Sequence, residues 1–431
     1  MPEAMKTKEK TKKTAKQRAK LLLKILCVIL AVIALFFIVT GVISFIGNKA
    51  NEKKILSFEK VSYENQLTPS LDEFGNYTFV TDKEFKVVQL TDVHIGAGWL
   101  SLQKDANALN AVAAMLSEEK PDLVVVTGDI AYPVVFQSGT INNKTSAKLF
   151  AELMERLGIY WTACFGNHDT ELYSMYDRDE IADFYSFGYD HCLLQKGPED
   201  VYGSCNHIIN VKNSKDIITQ SIFILDSHAY TDGDYLGIKW LYDNIHDNQL
   251  EWYKSKLNEL REYNTAAYKK AGEEEKELKS IMFFHIPPTE MRDAWNEYAD
   301  NGYKDTENVR AVYGFMGGSG KIVFCGAHED ELFETVQQEG STQGLFFGHD
   351  HRNNMSFDYK GVRLTYSMSI DYLAIPGISK IGRQRGCTVI ELMPDGSFES
   401  HNENYYQEKY ASVFEKDSPE MQEITYPYSG D

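Results

Sequence analysis

The sequence predicts an α/β domain standing behind one N-terminal apolar helix. Two observations carry the domain. Apolar, strand-like runs alternate with helically spaced segments from residue 76 onward, and the runs at 86–94, 121–130 and 159–169 are separated by helices. That β-α-β-α-β order is the pattern of a sheet with helical crossovers. The third observation is ILCVILAVIALFFIVTGVISFI (25–46), 22 residues without a charge, enough to cross a bilayer at about 1.5 Å per residue.

Residues 1–24 hold nine Lys/Arg against Glu3 and Glu9, a net charge of +7. A basic segment ahead of an apolar span predicts a cytoplasmic N-terminus, with everything after residue 46 outside. The span reads as a single-pass signal anchor in the cell membrane rather than a cleaved signal peptide. It exceeds the usual h-region of about 7–15 residues, and GNKANEKK offers no small-x-small site. Residues 47–74 are polar and mixed in charge and read as a stalk. Residues 75–400 form the domain. Its strands are expected at 76–80, 86–94, 121–130, 159–169, 206–211, 221–227, 280–285, 343–349, 362–367 and 386–393, and its helices at 105–120, 146–158 and 248–263. Two long stretches, 170–205 and 286–320, read as loops. Their aromatics (Tyr173, Tyr176, Phe184, Tyr185, Trp295, Tyr298) are the expected substrate walls, since long loops are often functional. Residues 401–431 read as a polar, Tyr-rich tail.

With 431 residues, 43% of them hydrophobic, the chain can bury a full core. The overall charge of −19 leaves −26 for residues 25–431, which argues against nucleic acid as the main ligand. A small phosphorylated substrate held by metal ions remains compatible with it. Cys192 and Cys205 flank a loop and read equally as a disulfide or as two free thiols. No C-x-x-C pair suggests a zinc ribbon.

The chemistry lies where the apolar strands end. Asp92 and His94, then Asp129, then Asn167, His168 and Asp169, then His285, and finally His349 and His351 each follow such a run. Ligands of α/β proteins bind at that carboxyl edge, so residues distant in sequence converge there. Each motif is weak alone: Asp129 at a strand end could serve as a turn, a cap or a metal ligand. Five of the eleven histidines fall in these motifs, however, and their joint occurrence points to a metal centre. The donors are all N and O, which suits Mn, Fe or Zn. Their number suits two ions about 3.5–4 Å apart, the clamp used for in-line phosphoryl displacement.

The ordered set D92-x-H94, G128-D129, G166-N167-H168-D169, His285 and G348-H349-x-H351 resembles the calcineurin-like metallophosphoesterase superfamily, in the D-x-H branch related to purple acid phosphatases. The likeness runs from about residue 84 to 395. It implies a four-layer α/β/β/α sandwich of two mixed sheets. It also implies one di- or trivalent metal on Asp92, His94, Asp129 and His351 and a second on Asp129, Asn167, His285 and His349. Asp129 would bridge the two ions, and a hydroxide between them would attack phosphorus. His168 would face the substrate and its leaving oxygen, with Asp169 orienting it. The implied activity is hydrolysis of phosphate esters outside the membrane; the alternative is a membrane-anchored metal-binding or sensing protein with little turnover. Tyr132 completes a G-D-x-x-Y pattern in which, by the same resemblance, the tyrosine ligates ferric iron. Because D-x-H is complete, His94 is the expected ligand and Tyr132 a pocket-edge residue. His228, just past a strand, is expected at the pocket rim.

Overall fold

The structure, a computed structural model, describes residues 15–231, 233–317, 322–375 and 385–410. Residues 1–14 of the basic segment, 382–384 and 411–431 of the tail lie outside them.

The chain begins with α1 (Ala15–Ser57), β1 (Ser70–Leu71), β2 (Tyr77–Val80), β3 (Phe85–Leu90), α2 (Leu102–Glu119), β4 (Leu123–Thr127), α3 (Val135–Ser138), α4 (Asn143–Leu157) and β5 (Trp161–Cys164). It continues with α5 (Arg178–Gly188), β6 (His207–Lys212), β7 (Ile218–Ile224), α6 (Asp247–Ala271), β8 (Ser280–Phe283), α7 (Thr289–Asp300), β9 (Val309–Tyr313), α8 (Leu332–Glu339), β10 (Thr342–Phe347), β11 (Ser356–Tyr359), β12 (Val362–Tyr366), β13 (Gly386–Leu392) and β14 (Phe398–Asn404).

Two mixed sheets form. One has nine strands in the order β1-β2-β6-β7-β8-β10-β12-β11-β9, the other five in the order β14-β13-β3-β4-β5. Strands β3, β4 and β5 are parallel, and so are β7, β8, β10 and β12. Every residue of β4 and β5 is buried, as expected where a parallel sheet is covered on both faces.

The period-2 alternation of a strand decides the layers. Ile222, Ile224 and Phe283 point to the cluster that also holds Val124, Leu109 of α2 and Phe150 of α4. Phe223, Met282 and Leu345 point the other way, to Leu257 of α6, Trp295 of α7 and Phe333 of α8. The result is the four-layer α/β/β/α sandwich.

Several expectations about loops and ends differ from the structure. Within 170–205 lies α5, started by a capping box of Asp177 and Glu180. Within 286–320 lie α7 and β9. Tyr185, Trp295 and Tyr298 are therefore buried core residues, not substrate walls. The tail begins later than residue 401, because β14 runs to Asn404 and Tyr405, Tyr406 and Tyr410 are buried. Cys192 and Cys205 are free thiols in the apolar core.

The first helix continues well past its apolar run. From Asn48 onward it packs against the domain: Asn48 Nδ2 donates to the Ala97 carbonyl at 2.8 Å, Asn51 Nδ2 to Leu102 at 3.2 Å and Lys54 Nζ to Ala106 at 3.0 Å. Ile55, Phe58 and Val61 join the main apolar cluster. Spacing of 48, 51 and 55 puts these residues on one helical face, so the segment read as a stalk is docked along α2. The earlier part of the helix is exposed, and its length and composition suffice to cross a bilayer.

Candidate metal centre

The motif residues sit two to five positions beyond the carboxyl ends of β3, β4, β5, β8 and β10. Reaching inward from there strains the backbone: Asp92, His94, Asp129 and His349 have φ of 50°, 52°, 55° and 73°. Such left-handed non-glycine residues are uncommon and cluster at functional sites. The flanking glycines are required by close approach. A Cβ on Gly348 would stand 1.8 Å from Thr91 Oγ1, and one on Gly166 would stand 2.1 Å from Asp129 Oδ1.

Four side chains gather tightly. One donor atom from each of Asp92, His94, Asp129 and His351 lies within 4.8 Å of all the others, and all four residues are buried. His94 Nε2 is 3.2 Å from Asp129 Oδ2, and His351 Nε2 is 3.3 Å from Asp92 Oδ1. On the other side of Asp129, His285 Nε2 stands 3.4 Å from Oδ2 and 3.2 Å from Asn167 Oδ1. The ring of His349 lies 5.1 Å from that of His285. Its Nε2 is buried and has no hydrogen-bond partner. Asp129 thus touches both groups.

Four of the donors have a partner behind them. Asp371, fully buried, spans the two imidazoles of the first group: its Oδ1 is 3.3 Å from His94 Nδ1 and its Oδ2 is 3.1 Å from His351 Nδ1. Asp371 is itself held by the N–H groups of Leu373, Ala374 and Ile375. His285 Nδ1 donates to the Thr127 carbonyl at 2.7 Å. Asn167 Nδ2 donates to Tyr230 Oη at 3.0 Å, turning its Oδ1 inward. These outer contacts orient the rings so that Nε2 of His94, His285 and His351 faces the centre.

The electrostatics match a site built for cations. Burial alone would depress the imidazoles, yet the Asp129 carboxylate pushes His285 up to about 9, and Asp92 and Asp371 push His351 well up. Asp129 is held well below the usual carboxylate range against its burial by His285 and His168. The carboxylates therefore attract positive charge that protons supply when no cation does. An unpartnered buried Nε2, four converging donors and this charge balance fit divalent metal binding.

His168 and Asp169 take separate tasks. The Asp169 carboxylate does not face His168. Its oxygens accept, at 2.8 Å each, from the backbone N–H groups of Asp129, Gly166 and Ala131. The turn after β5 points that side chain back under β4. The partner of His168 is instead Glu171, whose Oε1 is 2.7 Å from His168 Nδ1. His168 lines a cavity of about 560 Å³ together with Tyr132, Tyr242, His349, His351 and the apolar Trp240, Ile322, Phe324 and Ile375.

Tyr132 packs at an angle between His94 and His168, with ring centroids at 4.6 and 4.8 Å. Its hydroxyl donates to Gln137 Oε1. Burial and the Asp371 and Asp129 carboxylates push its phenol up. His228 is absent from the residues lining the metal-side cavity. Its backbone, at φ 61°, turns the ring to Gln249, Tyr202 and His246 beside a separate acidic cavity.

A two-sheet sandwich that delivers Asp, His and Asn from five strand ends to one buried centre defines a metallophosphoesterase domain. Residues 85–353 match the family described as calcineurin-like phosphoesterase, and the chain belongs to that family. It is similar to probable inactive purple acid phosphatase 29 of Arabidopsis thaliana, 26% identical over 75% of this chain and 80% of that protein. Probable inactive purple acid phosphatase 14 of the same plant is 28% identical over 73% and 76% of the two chains. Phosphatase DCR2 of Saccharomyces cerevisiae is 28% identical over 47% of this chain and 35% of its own length.

Proposed function

We propose that the chain is a dinuclear-metal-dependent phosphoric ester hydrolase acting on small phosphorylated substrates. Residues 25–46 anchor it in the membrane, with residues 1–24 cytoplasmic and the domain on the other side. The observation that supports this reading is the convergence of Asp92, His94, Asp129 and His351 on one buried point, with His285 and Asn167 on the other side of Asp129 and His168 beside them on the cavity wall. Asp92, His94, Asp129 and His351 would hold one metal, and Asp129, Asn167, His285 and His349 the second, drawn from Mn, Fe or Zn. When bound, such a pair supplies Lewis acidity and a water nucleophile for in-line displacement at phosphorus.

The remaining work falls to the chain's own side chains. His168, its Nδ1 held by Glu171, presents Nε2 for proton donation to the leaving oxygen. Asp169 fixes the turns that carry Asp129 and Asn167. Trp240, Phe324 and Ile375 give the cavity an apolar wall.

Turnover of a generic aryl phosphate with Mn²⁺, compared with the metal-free protein, tests the reading. A chain that binds two metals but hydrolyses neither mono- nor diesters would be a metal-binding or sensing protein, which the word inactive in two relatives' names favours.

Two further outcomes are expected. Asp371→Asn places an amide between two imidazole Nδ1–H donors that need a carboxylate. Metal affinity should fall about 10–100-fold, the usual cost of losing a carboxylate behind metal-ligating histidines. Titration followed by metal analysis measures it; unchanged affinity would remove Asp371 from the centre. Tyr132→Phe should leave metal content unchanged, and the wild-type protein loaded with iron should be colourless. A visible band lost on that substitution would make Tyr132 the ligand in place of His94.

A further inference from the structure

The anchor helix is clamped to the loop that leaves the metal centre, and this fixes the height of the centre above a bilayer. Asn48 holds the Ala97 carbonyl, three residues past His94. Asn48 lies two residues beyond the apolar run, about 3 Å along the helix axis. His94 is at most about 11 Å of chain from Ala97. With the helix near the bilayer normal, and with about 9 Å for the Asn48 side chain and its bond to the Ala97 carbonyl, the His94 backbone stands no more than about 23 Å above the hydrocarbon edge, of which headgroups fill about 5–8 Å.

The same loop reaches lower still. Trp99 packs edge-on against Phe36, centroids 5.9 Å apart, alongside the apolar run and ten residues before its end. Behind Trp99 a Cβ on Gly139 would meet the indole at 2.5 Å, so the indole rests on the end of α3. That short helix carries Phe136, 93% exposed. Its next residue, Gln137, bonds Tyr132 and, at 3.0 Å, the Ala374 carbonyl, both on the cavity wall. Met175 and Ile141, joined by a backbone bond of 3.0 Å, and Leu172 add exposed apolar side chains on the His168 side. Contacts thus run unbroken from the anchor, through an exposed apolar rim, to the mouth of the metal cavity.

We propose that this rim, Trp99, Leu100, Phe136, Leu172 and Met175, lies in the bilayer surface, and that the centre takes phosphate esters of amphiphiles presented from the membrane. The proposal rests on the phosphoesterase reading for its chemistry and on the apolar helix for its geometry. Contact with lipid is apolar rather than electrostatic, because residues 25–431 carry −26. Phe36 lies about 15 Å below the end of the apolar run, so Trp99 beside it reaches into the hydrocarbon, while the rest of the rim meets the bilayer surface. In the reaction, a water oxygen bonds to phosphorus, the ester P–O bond breaks, and the lipid alcohol leaves with a proton. The apolar wall of Trp240, Ile322 and Phe324 accommodates the chain next to the ester.

The test uses the full chain in phosphatidylcholine vesicles. Acyl chains brominated along their length should quench tryptophan emission, and Trp99→Phe should remove most of that quenching. Quenching that is absent, or unchanged in Trp99→Phe, overturns the rim. Hydrolysis is then followed on phosphatidic acid and phosphatidylglycerol diluted into the vesicles, and on a soluble aryl phosphate. Phe136→Asp should lower lipid hydrolysis about tenfold or more, the scale of withdrawing one phenyl group from an apolar surface. The soluble reaction should be unaffected. Hydrolysis of the soluble ester without either lipid, or equal loss on both, overturns the substrate assignment. No hydrolysis of any ester by the metal-loaded protein overturns the phosphoesterase reading and, with it, the substrate; the quenching result still decides the rim.

Discussion

Asp129→Asn is expected to empty the centre of both metals and to abolish turnover while the fold survives. Among the described residues, Asp129 Oδ2 is the one carboxylate oxygen within 3.4 Å of imidazoles from both donor groups, His94 at 3.2 Å and His285 at 3.4 Å. An amide there halves the acceptor capacity and removes the charge that a pair of cations needs between them. Losing one outer-sphere partner of a bound metal typically costs about 10–100-fold, so a donor shared by two sites should cost on the order of 10²–10⁴. The fold should persist because asparagine has the same shape and its carbonyl can still accept from the His168 N–H, now at 2.8 Å. Metal analysis, turnover and a melting curve in chelator measure the three parts. A variant that keeps two ions per chain would remove Asp129 from the bridging position.

How much of this was legible before the structure follows from what kind of signal each residue sends. Asp92, Asp129 and His285 stand where largely apolar runs stop, and parallel strands buried on both faces produce such runs. Their convergence was therefore readable from the chain alone. Asp371 sends no such signal. It lies in a segment outside the regular strands, 277 positions from His94 and 20 from His351, and only folding brings its two oxygens to both rings. Glu171 was closer to view, three residues past His168, but the adjacent Asp169 was the more obvious partner. The turn after β5 reverses that choice, since three backbone N–H groups at one spot demand an acceptor and Asp169 is nearest.

The misread loops have a simpler cause. Their aromatics were treated as unpatterned, although Asp177 and Glu180 form the D-x-x-E signature of a helix start. Trp295 and Tyr298 are three apart, one face of a helix. Likewise Asn48, Asn51 and Ile55 already spelled a docking face on the supposed stalk. The apolar signal of residues 25–46 masked it, because composition changes at residue 47 while the helix does not.

His168→Ala should separate metal binding from chemistry. His168 makes no contact of the kind that joins His94, His285 and His351 to the two carboxylates; its Nδ1 is taken by Glu171 and its ring lines the cavity. Two metals should therefore remain, while turnover falls about 10²–10⁴-fold, the range for losing a positioned proton donor. Leaving-group dependence makes the assignment specific. An alkoxide needs a proton as it departs and an activated phenolate hardly does, so the loss should be largest on alkyl phosphates and small on aryl ones. Glu171→Gln should reproduce the same dependence more weakly, by about 10-fold, because it loosens the ring without removing it. Asp169→Asn should behave differently, lowering metal content along with turnover, since it frees the backbone of Asp129 itself. If His168→Ala lost its metals, or slowed alkyl and aryl esters alike, His168 would be a ligand or a structural residue and the proton donor would lie elsewhere on the cavity wall.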